Sequence, residues 1–145
     1  MCDIDHFKHV NDTCGHAAGD LVIQGPAKES TRIVGKLSHA ERFGGEEFVA
    51  FLPNSSIGQA IALADTVRTC FAIKDWSKIG VSHEVTLSCG VSAVAPGETS
   101  LENVIDRADG ALYLAKNAGR NRVGSRGGEP AAFPVTLPKS AALAV

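Results

Sequence analysis

The stretch Arg42-Phe43-Gly44-Gly45-Glu46-Glu47-Phe48 constrains the fold more than any other part of the chain. It sets two glycines and two adjacent carboxylates between short apolar-rich runs, Ser38 to Phe43 and Glu47 to Leu52, that read as strands. Runs of this kind pair as a hairpin, here with Gly44-Gly45 at the turn. A glycine pair at a hairpin tip lets the backbone approach a ligand closely, because no Cβ stands in the way. Adjacent acids there suit a hard cation such as Mg²⁺, with substrate phosphates completing its shell. Taken alone, the string also fits a solvated turn with surface acids, given the ordinary turn preference of glycine.

At 145 residues the chain is long enough for one domain with a real core. Its hydrophobic fraction of 44% and charged fraction of 21% are ordinary for a globular protein. A net charge of −2 argues against a nucleic-acid binder, which normally shows a basic face or stripe. No apolar run reaches the ~18 residues that a membrane span needs, and no charged-then-apolar leader opens the chain. Cys2, Cys14, Cys70 and Cys89 form no C-x-x-C pair. Zinc or disulfide frameworks are therefore poorly supported, and a reducing cytoplasm is the natural compartment. Cys89, at an apolar position of a strand-like stretch, is expected to pack as a small hydrophobe.

Residues 1 to 4 read as the end of a strand, followed by a polar loop through Gly15 and a helix from about Ala17 to Val34. Pro53-Asn54-Ser55 stops the second hairpin strand. Ser55 or Ser56 can then cap a helix on which Ile57, Ala60, Ile61, Ala64, Val67 and Phe71 keep the helical period. From Val85 to Val91, apolar residues alternate with small or polar ones, which predicts one apolar strand face against a helical layer. Thr99 and Glu102 have the spacing of a capping box. They precede a helix with Leu101, Val104, Ile105, Ala108, Leu112 and Ala115 on one side, and Gly119 stands where its C′ residue belongs. This order predicts an α+β domain over residues 1–123, with an antiparallel-rich sheet backed by helices. Residues 124–145, rich in glycine and proline, read as a flexible tail.

Other blocks stand in a telling order around the hairpin. Asp3-Ile4-Asp5-His6-Phe7-Lys8, Asn11-Asp12, Gly15-His16 and Gly19-Asp20 precede it. Ala111-Leu112-Tyr113-Leu114-Ala115-Lys116-Asn117-Ala118-Gly119-Arg120-Asn121-Arg122-Val123 follows. Together with Gly-Gly-Glu-Glu-Phe they resemble the GGDEF family of diguanylate cyclases over about residues 1 to 123. The resemblance implies the palm-like fold shared with nucleotide cyclases and polymerases. It also implies condensation of two GTP into cyclic di-GMP and two pyrophosphates, dependence on Mg²⁺ or Mn²⁺, and catalysis across a homodimer. An upstream sensory domain is expected in a full-length version.

Asp3 ends a strand and Glu46 sits at the hairpin tip, so if the strands are neighbours both carboxylates converge at one sheet edge. The resemblance makes Asp3 and Glu46 metal ligands, with the Ile4 carbonyl contributing, and Glu47 the accompanying acid. An EF-hand reading of Asp3-x-Asp5 fails, because Phe7 occupies a position requiring Asp or Asn. The resemblance sets the Phe7 and Lys8 amides and the Lys8 ammonium against substrate phosphates. Lys116 and Arg120 are four apart and are expected to share a face at a helix C-terminus. There they fit dipole compensation on their own, and triphosphate clamps once the other motifs are counted. Asn11 and Asp20 can hydrogen-bond a guanine edge, and are otherwise a turn residue and a first-turn acid. His16 reads as a structural residue of the loop.

Three departures from the family pattern stand out. Family members carry a further segment ahead of the position of Asp3, so the chain is expected to be N-terminally truncated, with an open groove beside the first strand. Gly25-Pro26 falls inside the first helix, which is expected to be kinked, short or marginal. The R-x-x-D element of product inhibition is replaced by Gly35 and Ser38, so no feedback is expected at that site. The alternative reading is a catalytically inactive GTP-binding or scaffold module of a larger signalling protein.

Overall fold

Of the stretch from Val85 to Val91 that reads as a strand, the part from Leu87 onward forms one, and it is buried on both faces. In the computed structural model, which describes residues 1–34 and 39–127, it is β4 (Leu87–Ser92). The chain runs β1 (Cys2–Ile4), α1 (Phe7–Cys14), α2 (His16–Val34), β2 (His39–Gly44), β3 (Glu47–Phe51), α3 (Ile57–Ala72), β4, α4 (Leu101–Asn117) and β5 (Val123–Arg126). The strands form one sheet in the order β2-β3-β1-β4-β5, antiparallel except where β5 lies parallel to β4. The architecture is the expected α+β sheet with helices, and β1 occupies its centre.

The two faces of β4 meet different layers. Leu87 and Cys89 join Val22, Ile23, Val67, Phe71 and Trp76 in the core beneath α2 and α3. Ser88 and Gly90 face α4, where a Cβ at Gly90 would collide with the Ala108 carbonyl and the Leu112 amide. The expected single apolar face is therefore only half of the arrangement. Small residues on the other face let α4 lie directly on the strand. Val104, Ala108, Ala111, Leu112 and Ala115 form its buried side. A cleft of about 490 Å³ opens between β3, β4 and α3.

Several local expectations need correction. The segment expected as a loop before Gly15 is α1, because Phe7, Val10 and Cys14 recur at helical spacing and pack on the core. His6 (φ 55°) opens α1 and Gly15 (φ 83°) ends it, so the polar Asn11 and Asp12 lie within a helix. α2 is not short: it runs 19 residues across Pro26. The proline ring is buried, and a Cβ at Gly25 would stand 2.6 Å from Phe71 and 2.9 Å from Trp76. Close packing on α3 offsets the hydrogen bond that proline cannot donate. The hairpin turns at Gly45 (φ 47°) and Glu46, with Gly44 paired to Glu47 and a bulge between Arg42 and Gly44. Ser56 and Gln59 make the capping box of α3. Ser100, accepting from the Asn103 amide, caps α4 in place of Thr99. Gly119 does follow the end of α4 with φ 112°. Val123–Arg126, placed partly in the tail by the sequence reading, forms β5 because it pairs with Cys89–Ser92. The rest of the expected tail from 128 onward, and Gly35 and Ser38, lie outside the described residues. Among the described residues no helix is long and apolar enough to cross a membrane.

Candidate active site at the hairpin tip

The register of β1 against β3 assembles the acids. Asp3 lies directly opposite Glu47, and the Ile4 amide donates to the Glu46 carbonyl at 3.4 Å. Directly opposed residues of an antiparallel pair project to the same face, so Asp3 and Glu47 share the face that carries α4. Lys116, in the last turn of α4, donates to Asp3 Oδ2 at 2.8 Å. Asp3 is buried, and that burial pushes its carboxyl above the ordinary value. Lys116 pulls it back down, while the charges of Glu46 and Glu47 push it further up.

This electrostatic arrangement fits a divalent cation. One ammonium faces a buried carboxylate with two more acids beside it, and the donors are all oxygens, which suits a hard ion. Among the described residues no group of three His, Cys, Asp or Glu side chains makes a ready-made cage. Hard ions of the Mg²⁺ type use one or two carboxylates plus substrate phosphates and do not depend on such cages.

Asp5 is the residue that sequence reasoning missed. It is buried and accepts from Thr86 Oγ1 at 2.7 Å, Ser88 Oγ at 2.7 Å and the Asn121 amide at 3.1 Å. One carboxylate thus ties the end of β1 to β4 and to the loop beyond α4. The acid spacing Asp3-x-Asp5 was the only local signal, and it pointed to a calcium loop that the chain does not make.

The remaining expected residues divide. Phe7 and Lys8 begin α1, where the first two amides have no acceptor within the helix, while those of His9 and Val10 donate to the His6 carbonyl. Helix starts of this kind receive anions. Asn11 packs its amide against Gly19, where a Cβ would collide with it, and Asp20, the next residue of α2, is exposed. Arg120 does not share a helical face with Lys116. α4 ends at Asn117, and Arg120 sits past it in the left-handed region at φ 62°. Its amide donates to the Ala115 carbonyl, and its side chain has no hydrogen bond or ion pair among the described residues. His16 opens α2 and is exposed, so it does not hold a loop. Asp3, Glu46, Glu47 and Lys116 are the group that the fold draws together.

Comparison with known proteins identifies the family. The family model described as "Diguanylate cyclase, GGDEF domain" matches residues 1–122. Diguanylate cyclase A of Treponema denticola is 43% identical over 123 residues, covering 85% of this chain and 33% of that protein. Diguanylate cyclase VdcA of Vibrio cholerae is 43% identical over 126 residues, covering 85% of this chain and 37% of that protein. The chain therefore spans about a third of the length of these curated relatives. Among solved structures, the active GGEEF domain of a Vibrio cholerae diguanylate cyclase superposes with a TM-score of 0.81 at 34% identity, covering 88% of this chain and 81% of that one. The coiled coil and GGDEF domain of DgcB from Caulobacter crescentus, solved in complex with c-di-GMP, superposes with a TM-score of 0.78 at 36% identity, covering 86% of this chain and 66% of that one. With its glycine pair, paired acids and central sheet in the family arrangement, this chain belongs to the GGDEF domain family.

Proposed function

We propose that the chain is the catalytic domain of a diguanylate cyclase, joining two GTP into cyclic di-GMP with release of two pyrophosphates. The observation that carries the reading is the buried Asp3 carboxylate, set opposite Glu47 beside the hairpin tip and held by Lys116 at 2.8 Å. The family's cyclases depend on divalent metal, and we assign Mg²⁺, or Mn²⁺, to Asp3, Glu46 and the Ile4 carbonyl. Bound there, the ion would neutralise triphosphate charge and ease ionisation of the attacking 3′-hydroxyl.

The chain's own groups bind and orient. The Phe7 and Lys8 amides at the start of α1, and the Lys8 ammonium, receive phosphate oxygens. Lys116 neutralises Asp3 in the free chain and transfers its charge to the triphosphate when GTP arrives. Arg120, beyond the helix, offers a second cation with a planar fork. Asn11 and Asp20 read the guanine edge, whose N1–H and N2–H₂ donors adenine does not present in that arrangement. Left unpaired by the wrong base, such acceptors discriminate strongly. The open Gly44-Gly45 tip admits a second nucleotide held by an antiparallel partner copy, so in-line attack on an α-phosphate needs both subunits. The cytoplasm, where GTP is supplied, is the compartment, and an upstream sensory domain controls pairing. Gly35 and Ser38 lack the Arg fork and acid of the family's inhibitory site. Titration calorimetry with cyclic di-GMP is expected to find no tight binding mapping to them.

The test is incubation with GTP and Mg²⁺ at high protein concentration, followed by chromatography for cyclic di-GMP. Product that disappears in Glu46→Ala supports the cyclase. GTP binding by the folded chain without product moves the assignment to a binding module. Turnover unchanged in Glu46→Ala refutes the site.

A further inference from the structure

We propose that Cys2 and Cys89 form a reversible disulfide, giving the centre of the sheet a redox-modifiable site. The residues are far apart in sequence, yet β1 and β4 set them directly opposite each other. The neighbouring pair, Met1 and Gly90, exchanges both backbone hydrogen bonds, at 2.9 and 2.8 Å. The Asp5 amide, bonded to the Thr86 carbonyl at 2.9 Å, continues the same alternation. Cys2–Cys89 is therefore a non-hydrogen-bonded pair, the kind in which opposed Cα atoms approach to ~4.5 Å and the side chains lie closest. That separation falls within the ~4.4–6.8 Å that a disulfide spans.

Chemistry and access agree. Both thiols are free; Cys89 is buried in the core and Cys2 is partly buried against it. Both line the cleft of about 490 Å³ between β3, β4 and α3. Opposed Cβ atoms normally stand ~4.5–5.5 Å apart. A disulfide holds them at ~3.8 Å, so bonding draws β1 and β4 together and stores strain. Strained disulfides have the more oxidising potentials and are readily reduced. The bond is thus a labile modification and not a permanent staple. The strand it pulls carries Asp3 one position further on.

With a low-molecular-weight disulfide such as oxidised glutathione, one cysteine thiolate attacks a glutathione sulfur and expels a glutathione thiolate. The other cysteine then attacks the protein sulfur of the mixed disulfide and expels the second. The glutathione S–S bond breaks, the Cys2–Cys89 bond forms, and two electrons and the two thiol protons pass to glutathione. The claim stands apart from the cyclase reading and is tested without it.

The native chain is incubated with oxidised glutathione, alkylated with iodoacetamide, digested and mapped by mass spectrometry. The expected result is a Cys2 peptide linked to a Cys89 peptide, with Cys14 and Cys70 alkylated and the link removed by dithiothreitol. The link is expected to persist in the Cys14→Ser/Cys70→Ser variant and to be absent from Cys2→Ser, whose side chain is less buried than that of Cys89. Full alkylation of Cys2 and Cys89, glutathione adducts alone, or links through Cys14 or Cys70 would each overturn the proposal.

Discussion

Replacing Asp5 by alanine removes the acceptor that fastens β1, β4 and the loop beyond α4 to one another. Three donors meet this carboxylate: Thr86 Oγ1, Ser88 Oγ and the Asn121 amide. Thr86 is half-buried and can turn to water, but Ser88 is 0% exposed and the Asn121 amide points inward at Asp5. A buried donor left without an acceptor costs ~1–3 kcal/mol, so two stranded donors put Asp5→Ala at ~2–6 kcal/mol. That is a large share of the ~5–15 kcal/mol that holds a domain folded. Asparagine is a different perturbation. Its carbonyl can take the Oδ2 position with its two donors, while the Ser88 hydroxyl rotates to accept from the new NH₂ group. Asp5→Asn is therefore expected to cost ~1–3 kcal/mol, because only the Ser88 hydroxyl hydrogen loses its acceptor. Urea unfolding at pH 7, extrapolated linearly, separates the two values. The alanine variant should also loosen the loop that keeps Arg120 at φ 62°. A cost for Asp5→Ala no larger than that for Asp5→Asn would refute the reasoning, because it would mean that water serves these donors.

Gly90→Ala tests the seating of α4 on β4. The new Cβ meets the Ala108 carbonyl and the Leu112 amide, which are backbone and cannot rotate away. The upper end of the ~1–3 kcal/mol cost of overpacking is expected, read as a lower thermal midpoint. An unchanged midpoint would displace α4 from its assigned position. Asp3 supplies a pH test. Burial, with the Glu46 and Glu47 charges, raises its carboxyl despite Lys116, so the ionised form opposes folding. Its contribution to stability is complete below the unfolded carboxylate value of ~3.9 and is lost as pH rises through the higher folded value. Asp3→Asn is accordingly expected to unfold at equal or higher urea than the parent at pH 7, the difference closing in acid. The same variant should lose any Mg²⁺-dependent rise in midpoint. A clear loss of stability at pH 7 would show that Asp3 is held as a favourable anion.

The candidate site was legible where its chemistry lies close together in the chain. Glycines and acids in succession announced a hairpin tip, and Ser56 with Gln59 capped α3 as their spacing allows. Lys116 followed from its place near the end of an apolar-periodic helix, although its partnership with Asp3 did not. Arg120 was misplaced for a related reason. A spacing of four implies a shared face only while the helix lasts, and α4 stops at Asn117 because Ala118 and Gly119 turn the chain away.

Sequence by itself determined the features that depend on a few neighbouring residues: turns, caps, helical periods and the order of strands and helices. Each reflects backbone freedom or side-chain spacing within a few positions, so local composition carries the signal. Tertiary structure decided everything that waits on a distant partner. α1 exists because Phe7, Val10 and Cys14 find a core to bury against, and β5 because β4 presents a free edge. Asp5 became a corner post through contacts 83 and 116 residues away, and Cys2 met Cys89 only across the sheet. Such contacts leave no local mark, because pairing register and the burial of charge are settled by what the folded chain places opposite.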